Sequence, residues 1–372
     1  MSGPGPAEPE HGAAARRRPT VTDVARRAGV SVATAGRVLG DYGNVGSDLR
    51  AQVQAAADEL GYSPNVVARS MRSGSTGSIG FVGADISNAF FAGAMRGLCD
   101  VAREEGCEPI LANSDDSVDV ERNAVQVFVA KQIDGLVVSP TSVTDVEHLK
   151  HAQEQGVPVV LLDRHSTAMQ ADSVVVNNEA AARQAVTHLL DLGHRDIGLL
   201  AMTDLIEGPE IVRHPKTGRL EVRGAGRPSV DRIRGYVSAM EDAGIVVRDE
   251  LIAWTPGLKP ADAEREAEKL IGQSRRPTAV FAADNIATQA AFIVARRHGL
   301  RMPGDVSLVG FDDLDWTSLV DPPVTVMAQS PIEMGRIAAR ILFDRIKGGE
   351  APPERVVLPT QLLVRGSTAR LA

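Results

Sequence analysis

The sequence predicts a small all-helical head followed by an α/β body that is built from two doubly wound parallel-sheet subdomains. Two short helical segments joined by Gly29 lie near the N-terminus and indicate the head. From Ile79 onward, strand-like and helix-like runs alternate, which is typical of parallel sheets with helices on both faces. A chain of 372 residues is long enough for more than one hydrophobic core, so separate folding units are expected.

The head begins with a short helix that carries Val24, Ala25 and Ala28 on its apolar side. Gly29 then permits a tight turn, because glycine adopts positive φ without steric cost. Ser31 is a suitable N-cap for a second helix, along which small or apolar residues recur at Val32, Ala35 and Val38. Two short helices joined in this way form a helix-turn-helix, whose second helix enters the major groove of DNA.

Three further segments complete the N-terminal part of the chain. A third helix is predicted over Ser47–Leu60 and ends at Gly61. Residues 65–72 favour a helix of barely two turns, which is too short to be stable alone. Residues 73–78 form a glycine- and serine-rich linker to the body. The first residues are rich in glycine, proline and glutamate, so a disordered extension is expected over 1–18.

The body is predicted from its alternating elements. The strand-like runs are 79–82, 109–112, 135–139, 157–163, 173–177, 196–201, 251–254, 279–283 and 306–310. The amphipathic helical runs between them are 90–105, 120–131, 179–192, 261–271 and 286–298. So many strands suggest two subdomains. Ligands in such folds bind beyond the carboxyl ends of the strands, so two facing subdomains create a cleft for a small molecule.

An insertion interrupts this alternation over about 204–228. Residues 210–222 predict a β-hairpin with a turn at Pro215-Lys216-Thr217-Gly218. The insertion directly precedes a helix that is expected to begin near Asp231. Two interpretations stay open: the hairpin covers the mouth of a pocket or reaches a partner subunit, or it is a tolerated surface excursion.

The net charge of −8 is distributed unevenly along the chain. Between positions 16 and 73 there are nine arginines, no lysine and five acidic residues, so this part carries +4 and the rest carries −12. A basic head on an acidic body directs DNA to one end of the molecule. A solvated helical surface is the alternative, and charge alone does not decide between them.

Composition excludes several classes of protein. No apolar run approaches the roughly 18 residues of a membrane span, and no apolar signal segment is found, so a cytoplasmic protein without membrane contact is expected. Cys99 and Cys107 are too few for a disulfide framework or a metal site and are interpreted as packing residues. No nucleophile elbow, phosphate-binding loop or metal-ligand spacing is present, so neither catalysis nor a metal or other cofactor is expected.

These residues together resemble the lactose/galactose repressor family of bacterial transcription regulators, over positions 21–366. In the head the matching runs are Thr22-Asp23-Val24-Ala25, Ala28-Gly29-Val30-Ser31, Thr34, Arg37-Val38, Gly61-Tyr62-Ser63-Pro64-Asn65 and Val67-Ala68-Arg69. In the body they are Asp163-Arg164, Leu192-Gly193-His194, Arg232-Ile233-Arg234-Gly235-Tyr236, Pro277-Thr278-Ala279-Val280-Phe281 and Gly310-Phe311-Asp312-Asp313.

The resemblance implies a homodimer that binds a palindromic operator of double-stranded DNA, and a small-molecule effector, expected to be a carbohydrate, in the cleft of a periplasmic-binding-protein-like body. The domains that it implies are a DNA-binding head at 19–63, a hinge helix and linker at 64–78, an N-terminal subdomain at 79–177 and 331–358, and a C-terminal subdomain at 178–330 and 359–372. A solute-binding protein of a transport system shares the body fold and is the alternative. The head and the lack of a signal segment favour the regulator.

The resemblance also implies which residues contact DNA. Val32, Ala33 and Arg37 face base edges, although core packing is the alternative for Val32; an arginine bonds guanine through O6 and N7. Phosphate contacts are implied for Thr22, Ser31, Thr34 and Tyr62. The hinge helix contributes Asn65, Val67, Ala68 and an apolar wedge, Met71, that enters the minor groove.

The candidate effector-binding residues are Phe90, Phe91, Asp163, Arg164, Arg232, Asp312 and Gln329. A carboxylate such as Asp312, at the end of a strand, suits paired hydrogen bonds to neighbouring hydroxyls, and Arg232 can clamp a hydroxyl or a carboxylate. For the charged members, an ion pair between the subdomains is the alternative.

The chain departs from the family pattern at several positions that bear on binding. Gly40, Gly46 and Leu49 stand where the family more often has polar side chains that reach phosphates. Gly36 stands where the family has serine, and Met71 where it usually has leucine. Ala283 and Leu258 replace positions that often hold asparagine and an aromatic residue. The changes at Ala283 and Leu258 prevent transfer of any one relative's ligand. The sequence leaves open whether the effector induces or corepresses. It also leaves open whether a dimer or a tetramer forms, although a dimer is favoured.

Overall fold

A computed structural model describes residues 19–40, 43–62, 75–203, 209–224, 226–257 and 259–371. The chain divides into two compact units, and the boundary along the chain lies between Thr76 and Gly77. The predicted extension at 1–18, the short helix at 65–72 and the first two residues of the linker lie outside the described residues.

Three helices form the first unit: α1 (Val21–Arg27), α2 (Val32–Leu39) and α3 (Ser47–Leu60). Thr20 and Asp23 form a reciprocal capping box at the start of α1, and the Ser31 hydroxyl accepts a hydrogen bond from the Thr34 N–H at the start of α2. Gly29, at φ +65°, turns the chain between α1 and α2. The three helices bury one small core: Val24, Ala25, Ala28, Ala35, Val38, Val53, Ala56 and Ala57.

The second unit contains two six-stranded sheets. The first sheet has the order β13-β5-β4-β3-β1-β2, and all its strands are parallel. Its strands are β1 (Ser78–Gly83), β2 (Glu108–Asn113), β3 (Gly135–Val138), β4 (Val159–Leu162), β5 (Asp172–Val176) and β13 (Arg355–Leu358). Its helices are α4 (Ala89–Glu104), α5 (Val118–Ala130), α6 (Glu147–Glu154) and α12 (Pro331–Ile346).

The second sheet has the order β14-β12-β11-β10-β6-β9, and β14 runs antiparallel to β12. Its strands are β6 (Ile197–Thr203), β9 (Ile252–Pro256), β10 (Ala279–Ala282), β11 (Ser307–Phe311), β12 (Thr325–Ala328) and β14 (Gln361–Leu363). Its helices are α7 (Asn178–Asp191), α8 (Pro228–Asp242), α9 (Pro260–Ile271), α10 (Asn285–Arg297) and the short α11 (Asp315–Leu319). The chain passes between the two sheets after β5, after β12 and after β13.

Buried apolar clusters lie on both faces of each sheet. This arrangement confirms the predicted fold class, a helical head with a body of two doubly wound subdomains. Strands β7 (Glu210–Arg213) and β8 (Leu220–Arg223) pair antiparallel as the hairpin that the insertion predicted. None of the described helices is long and apolar enough to cross a membrane.

The sequence missed α12, a sixteen-residue helix that returns the chain to the first sheet. Gly335 inside it weakens the helical pattern, and the structure gives this glycine a packing role. A Cβ at Gly335 would lie 1.9 Å from the carbonyl oxygen of Ala94, and a Cβ at Gly97 would lie 1.9 Å from that of Ile332. The two glycines therefore let α4 and α12 cross with their backbones in contact.

The structure also corrects the start of α8. The sequence placed this start near Asp231, but α8 begins at Pro228, a residue that suits the first helical position because it needs no N–H partner there. Arg232 therefore lies in the second turn of α8, where its side chain is 6% exposed.

Candidate functional site

The second helix of the head presents one exposed face. Val32 is 47% exposed, and Ala33 and Arg37 are also exposed, whereas Ala35 and Val38 pack into the core. Core packing, the alternative for Val32, is therefore wrong. The guanidinium of Arg37 makes a 3.4 Å hydrogen bond from Nε to the carbonyl oxygen of Ala33, on its own helix. The groups that were predicted to face bases thus share one accessible surface.

The residues predicted to contact phosphates differ in their exposure. Thr22 and Ser31 are exposed near the N-termini of α1 and α2, where free backbone N–H groups favour anions. Thr34 is half-buried, with its hydroxyl 2.9 Å from that of Ser31. Tyr62 is half-buried and packs against the core of the head. The other DNA-contacting candidates lie outside the described residues: Asn65, Val67, Ala68 and Met71.

In the second unit, a cleft of about 620 Å³ opens at the carboxyl ends of strands from both sheets. It is lined by all seven side chains that the sequence named as effector contacts. The remaining lining residues are Asn88, Met202, Pro228, Ser229, Ala283, Asp284, Asn285 and Ile286.

Arg232 is fixed inside this cleft. Its Nε donates to Asn178 Oδ1 and its Nη1 donates to the carbonyl oxygen of Ala283, both at 2.8 Å. Its guanidinium carbon lies 3.6 Å from the centre of the Phe311 ring, a favourable cation–π contact. The side chain is therefore held in place before any ligand arrives.

Asp312 follows β11 and carries the charge opposite to that of Arg232. Its carboxylate accepts a 2.6 Å hydrogen bond from Gln329 Nε2, and its residue is 8% exposed. Burial raises the pKa of Asp312, while Arg232 and hydrogen bonds from Gln329 and Asn285 oppose this increase. The φ of +71° belongs to the left-handed region, which aspartate tolerates better than most residues. Gln329 and Asn285 thus orient a buried carboxylate at the floor of the cleft.

Asp163 holds the matching position after β4 in the other sheet. Its φ is +67°, and its N–H donates to the carbonyl oxygen of Val174, as the N–H of Asp312 donates to that of Met327. Arg164 Nη1 donates to Asp116 Oδ1 at 2.9 Å and to the carbonyl oxygen of Pro140 at 3.2 Å. This ion pair stays beside the first sheet, so the alternative of an ion pair between subdomains is wrong for the Arg164–Asp116 contact.

Phe90 and Phe91 form the apolar side of the cleft. Their rings meet edge to face, with centres 5.2 Å apart, and their residues are 6% and 5% exposed. They lie in the first turn of α4, which is capped by the side chain of Asn88 through the N–H of Phe90. The capped helix start therefore places two rings against the polar floor.

Sequence reasoning missed the polar side chains at two helix starts. Asn285 Nδ2 donates to Asn88 Oδ1 at 2.9 Å and so joins the two subdomains across the cleft. Both asparagines follow a strand and begin or cap a helix, which is the available signal. Their pairing was hidden because 197 positions separate them in the sequence.

Asp284, also missed, caps α10 at the edge of the cleft. Its carboxylate oxygens accept hydrogen bonds from the N–H groups of Met202 and Ala287, each at 2.8 Å. Burial raises the pKa of Asp284 to about 6 in spite of these bonds and of Arg232 nearby. The cleft therefore holds its charged groups through fixed hydrogen bonds, as expected for a binding site.

His194, Cys99 and Cys107 lie in buried or partly buried positions. His194 bridges Thr278 and the carbonyl oxygen of Ala369 from a buried position, and burial lowers its pKa. Cys99 and Cys107 are free, and burial raises the pKa of both thiols. Among the described residues, no group of three or more His, Cys, Asp or Glu side chains is arranged to hold a metal ion.

Comparison with known proteins agrees with this description. The family described as bacterial regulatory proteins, lacI family, matches residues 20–65, and a periplasmic binding protein-like domain matches residues 186–368. Catabolite control protein A of Priestia megaterium is 33% identical over 94% of this chain and 99% of its own length.

Two solved structures show the same fold over the whole length. The transcriptional regulator CelR in complex with cellobiose is 29% identical, covers 94% of this chain and 100% of its own, and has a TM-score of 0.66. The lac repressor dimer bound to operator and the anti-inducer ONPF covers 95% and 100%, at 22% identity and a TM-score of 0.78, and shows the fold alone. The chain belongs to the lacI family of bacterial regulatory proteins and is a DNA-binding transcriptional regulator, not an enzyme.

Proposed function

We propose that this regulator is a repressor that binds a palindromic operator as a homodimer, and that a sugar in the cleft controls this binding. The observation that carries the proposal is that seven side chains, distant in sequence, line one cleft between the two sheets. The cellobiose complex of a regulator that is 29% identical supports a carbohydrate as the class of ligand.

The chemistry of the cleft suits an uncharged sugar. Asp163 and Asp312 offer carboxylate oxygens to neighbouring hydroxyls, and Arg232 offers guanidinium N–H groups. Phe90 and Phe91 provide an apolar surface for the C–H face of a sugar ring. The ligand thus meets acceptors, donors and an apolar wall.

The charges of the cleft disfavour an anionic ligand. Three carboxylates, those of Asp163, Asp284 and Asp312, line it together with the guanidinium groups of Arg164 and Arg232. Arg164 is already paired with Asp116, which neutralises its charge. A sugar phosphate or a sugar acid would therefore meet excess negative charge in a poorly solvated site.

The exposed face of α2 supports the proposed DNA contacts. We assign base contacts to Val32, Ala33 and Arg37, and phosphate contacts to Thr22, Ser31, Thr34 and Tyr62. The hinge residues Asn65, Val67, Ala68 and Met71 complete the proposed interface, with Met71 as the wedge that bends the centre of the operator.

The contact between Asn88 and Asn285 suggests how ligand and DNA are coupled. It joins the two subdomains across the cleft, so a ligand that replaces or reinforces it changes the angle between them. In a dimer this change alters the spacing of the two hinge helices, which selects between two states of the whole assembly.

Fluorescence anisotropy on DNA from upstream of the protein's own gene tests this function. We expect saturable, salt-dependent binding that resists competitor DNA. At least one mono- or disaccharide should change the operator dissociation constant by about tenfold or more, a coupling of about 1.4 kcal/mol. Nucleobases and sugar phosphates serve as comparison ligands, and an effect confined to these would contradict the sugar assignment, whereas an absence of specific binding would contradict the operator.

Restoring serine at position 36 should tighten operator binding. Glycine inside a helix costs about 1 kcal/mol relative to alanine, and Gly36 lies in the middle of α2. Serine recovers about half of this helix propensity and adds a hydroxyl, so we expect Gly36→Ser to lower the operator dissociation constant by about two- to fivefold. Gly36→Ala is the matched control, because it improves helix propensity without adding a hydroxyl. A dissociation constant unchanged in both variants would remove the idea that Gly36 weakens the head.

A further inference from the structure

The insertion between β6 and α8 ends in two residues that contact the other subdomain. Gly226 and Arg227 follow the hairpin and come directly before Pro228, where α8 begins. Arg227 is 1% exposed, and its Nη2 donates to the carbonyl oxygen of Thr141, in the loop after β3. The end of the insertion therefore joins the two subdomains through a buried side chain, in addition to the three passages of the chain between the sheets.

Gly226 adds a backbone contact at the same place. The N–H of His165, in the loop after β4, donates to the carbonyl oxygen of Gly226 at 3.3 Å. Gly226 has a φ of +76°, and a Cβ at this position would clash with the carbonyl oxygen of His165. Glycine thus provides both the positive φ and the close approach of two backbones that belong to different subdomains.

The loop that accepts the hydrogen bond from Arg227 is itself fixed by buried polar contacts. The N–H of Thr141 donates to Glu121 Oε2 at 2.7 Å, and its hydroxyl donates to that of Ser114 at 3.2 Å. Glu121 is fully buried, and its Oε1 lies 2.7 Å from His148 Nε2. Arg227 therefore bonds to an acceptor whose position is determined by the first subdomain.

The segments on either side of Gly226 and Arg227 are anchored in the second subdomain. Arg234, on α8, donates from Nη2 to the carbonyl oxygen of Gly224 at 2.7 Å. Leu220 and Val222 of the hairpin belong to a buried cluster of the second sheet. Because the chain is fixed in this way, a rotation of one subdomain against the other must strain or break the contacts of Gly226 and Arg227.

These contacts lie at the edge of the effector cleft. Residues 228–229 directly follow Arg227, residues 163–164 directly precede His165, and all four line the cleft. A change in the shape of the cleft therefore acts on the contacts of Gly226 and Arg227. This position favours the interpretation in which the insertion reaches the pocket over that of a surface excursion.

We propose that Gly226 and Arg227 form a strap that holds the two subdomains in the described arrangement before any effector binds. This inference rests on the proposed function, in which the angle between the subdomains controls operator binding. An effector that favours the described arrangement binds a cleft that is already shaped for it, whereas an effector that favours another arrangement must break the strap. The strap thus sets the equilibrium that effector and operator shift.

Distances between two spin labels in the effector-free, full-length protein test the strap. The labels are attached after Gln126→Cys on α5 and Gln289→Cys on α10, both exposed positions, with Cys99→Ala and Cys107→Ala. Dilution with unlabelled protein makes distances within one chain dominate. We expect Arg227→Met to increase the population of a second distance by about tenfold or more, because a hydrogen bond from a charged group is lost.

Arg223→Met is the control for loss of an arginine from the insertion. Arg223 is exposed and pairs with Glu210 and Glu221 of its own hairpin. We expect this variant to keep the native distribution of distances. A second population of equal size in Arg223→Met and Arg227→Met would contradict the role of Arg227.

Gly226→Ala tests the strap without removing a charge. The new Cβ meets the carbonyl oxygen of His165, so we expect the same second distance as in Arg227→Met. Gly218→Ala is its control, because Gly218 has a φ of +71° and its Cβ would lie 3.8 Å from Val246 of the same subdomain. Native distances in both Arg227→Met and Gly226→Ala would overturn the strap.

Operator anisotropy of the same variants tests the regulatory part of the proposal. Without effector, the operator dissociation constants of both strap variants should differ from the native value by about threefold or more, and both controls should match it. A second distance with native operator affinity would contradict regulation by the strap. The distances require neither operator nor effector, so a failure of the proposed repressor function would leave them unchanged and is distinguishable from a failure of the strap.

Discussion

Asp312→Asn should reduce the response to the effector by about two orders of magnitude while operator binding in the absence of effector stays unchanged. Hydrogen bonds to a charged acceptor contribute about 1.5–3 kcal/mol each, and a sugar with neighbouring hydroxyls donates two of them to one carboxylate. Asparagine keeps the shape and tolerates the φ of +71°, so the fold should survive. The measurement is the effector concentration at which the anisotropy of the bound operator has undergone half of its total change.

Asp313→Asn is the matched control for this substitution. It makes the same change in charge one residue away, but Asp313 pairs with Arg365 and does not line the cleft. We expect this variant to respond to effector as the native protein does. Equal losses in the two variants would show that net charge, and not the carboxylate in the cleft, determines the response.

The cleft was predictable from sequence as far as its residues follow strands. Asp163 and Asp312 each come directly after an apolar strand, and parallel strands end at one edge of a sheet. The hydrogen bond between Asn88 and Asn285 was not predictable in this way, because it depends on how two different sheets face each other. Local pattern specifies which side chains reach an edge, whereas packing between sheets decides which of them meet.

The same distinction explains the elements that the sequence missed. Strand β13 lies at the edge of its sheet, with Arg355 and Val357 exposed, so it lacks the apolar run of a central strand. Strand β14 has three residues, too few for a periodic signal. Gly335 allows close contact between α12 and α4. In the sequence, however, a glycine inside a helical pattern argues against a helix. These elements gave weak local signals because they are short, exposed at an edge or adapted to close packing.

The hairpin shows the opposite case, in which a local signal was sufficient. Its turn residues, Pro215 to Gly218, and the alternation of Leu220 and Val222 predicted two paired strands, and Gly218 has the positive φ that the turn requires. What the sequence left open was where the hairpin packs. The structure answers this with Arg213, whose side chain ties the hairpin to the loop after α8.

Arg37→Ala should weaken operator binding more than any other single change in the described part of the head. A bidentate arginine–guanine contact contributes about 1–3 kcal/mol of discrimination, and a dimer on a palindrome makes it twice. We therefore expect a loss of about 30-fold to 10⁴-fold in operator affinity, while affinity for unrelated DNA falls far less. Arg37 is exposed and bonds to its own helix, so its removal should leave the stability of the head nearly unchanged.

Arg26→Ala separates specific contact from general charge. Arg26 is exposed on α1 and pairs with Asp23, so its removal subtracts the same charge without touching the exposed face of α2. We expect a small, uniform decrease in affinity for operator and unrelated DNA, with a weaker salt dependence. If Arg37→Ala lowers the affinities for operator and for unrelated DNA equally, Arg37 contacts phosphate. Base recognition must then come from other residues of the head or the hinge.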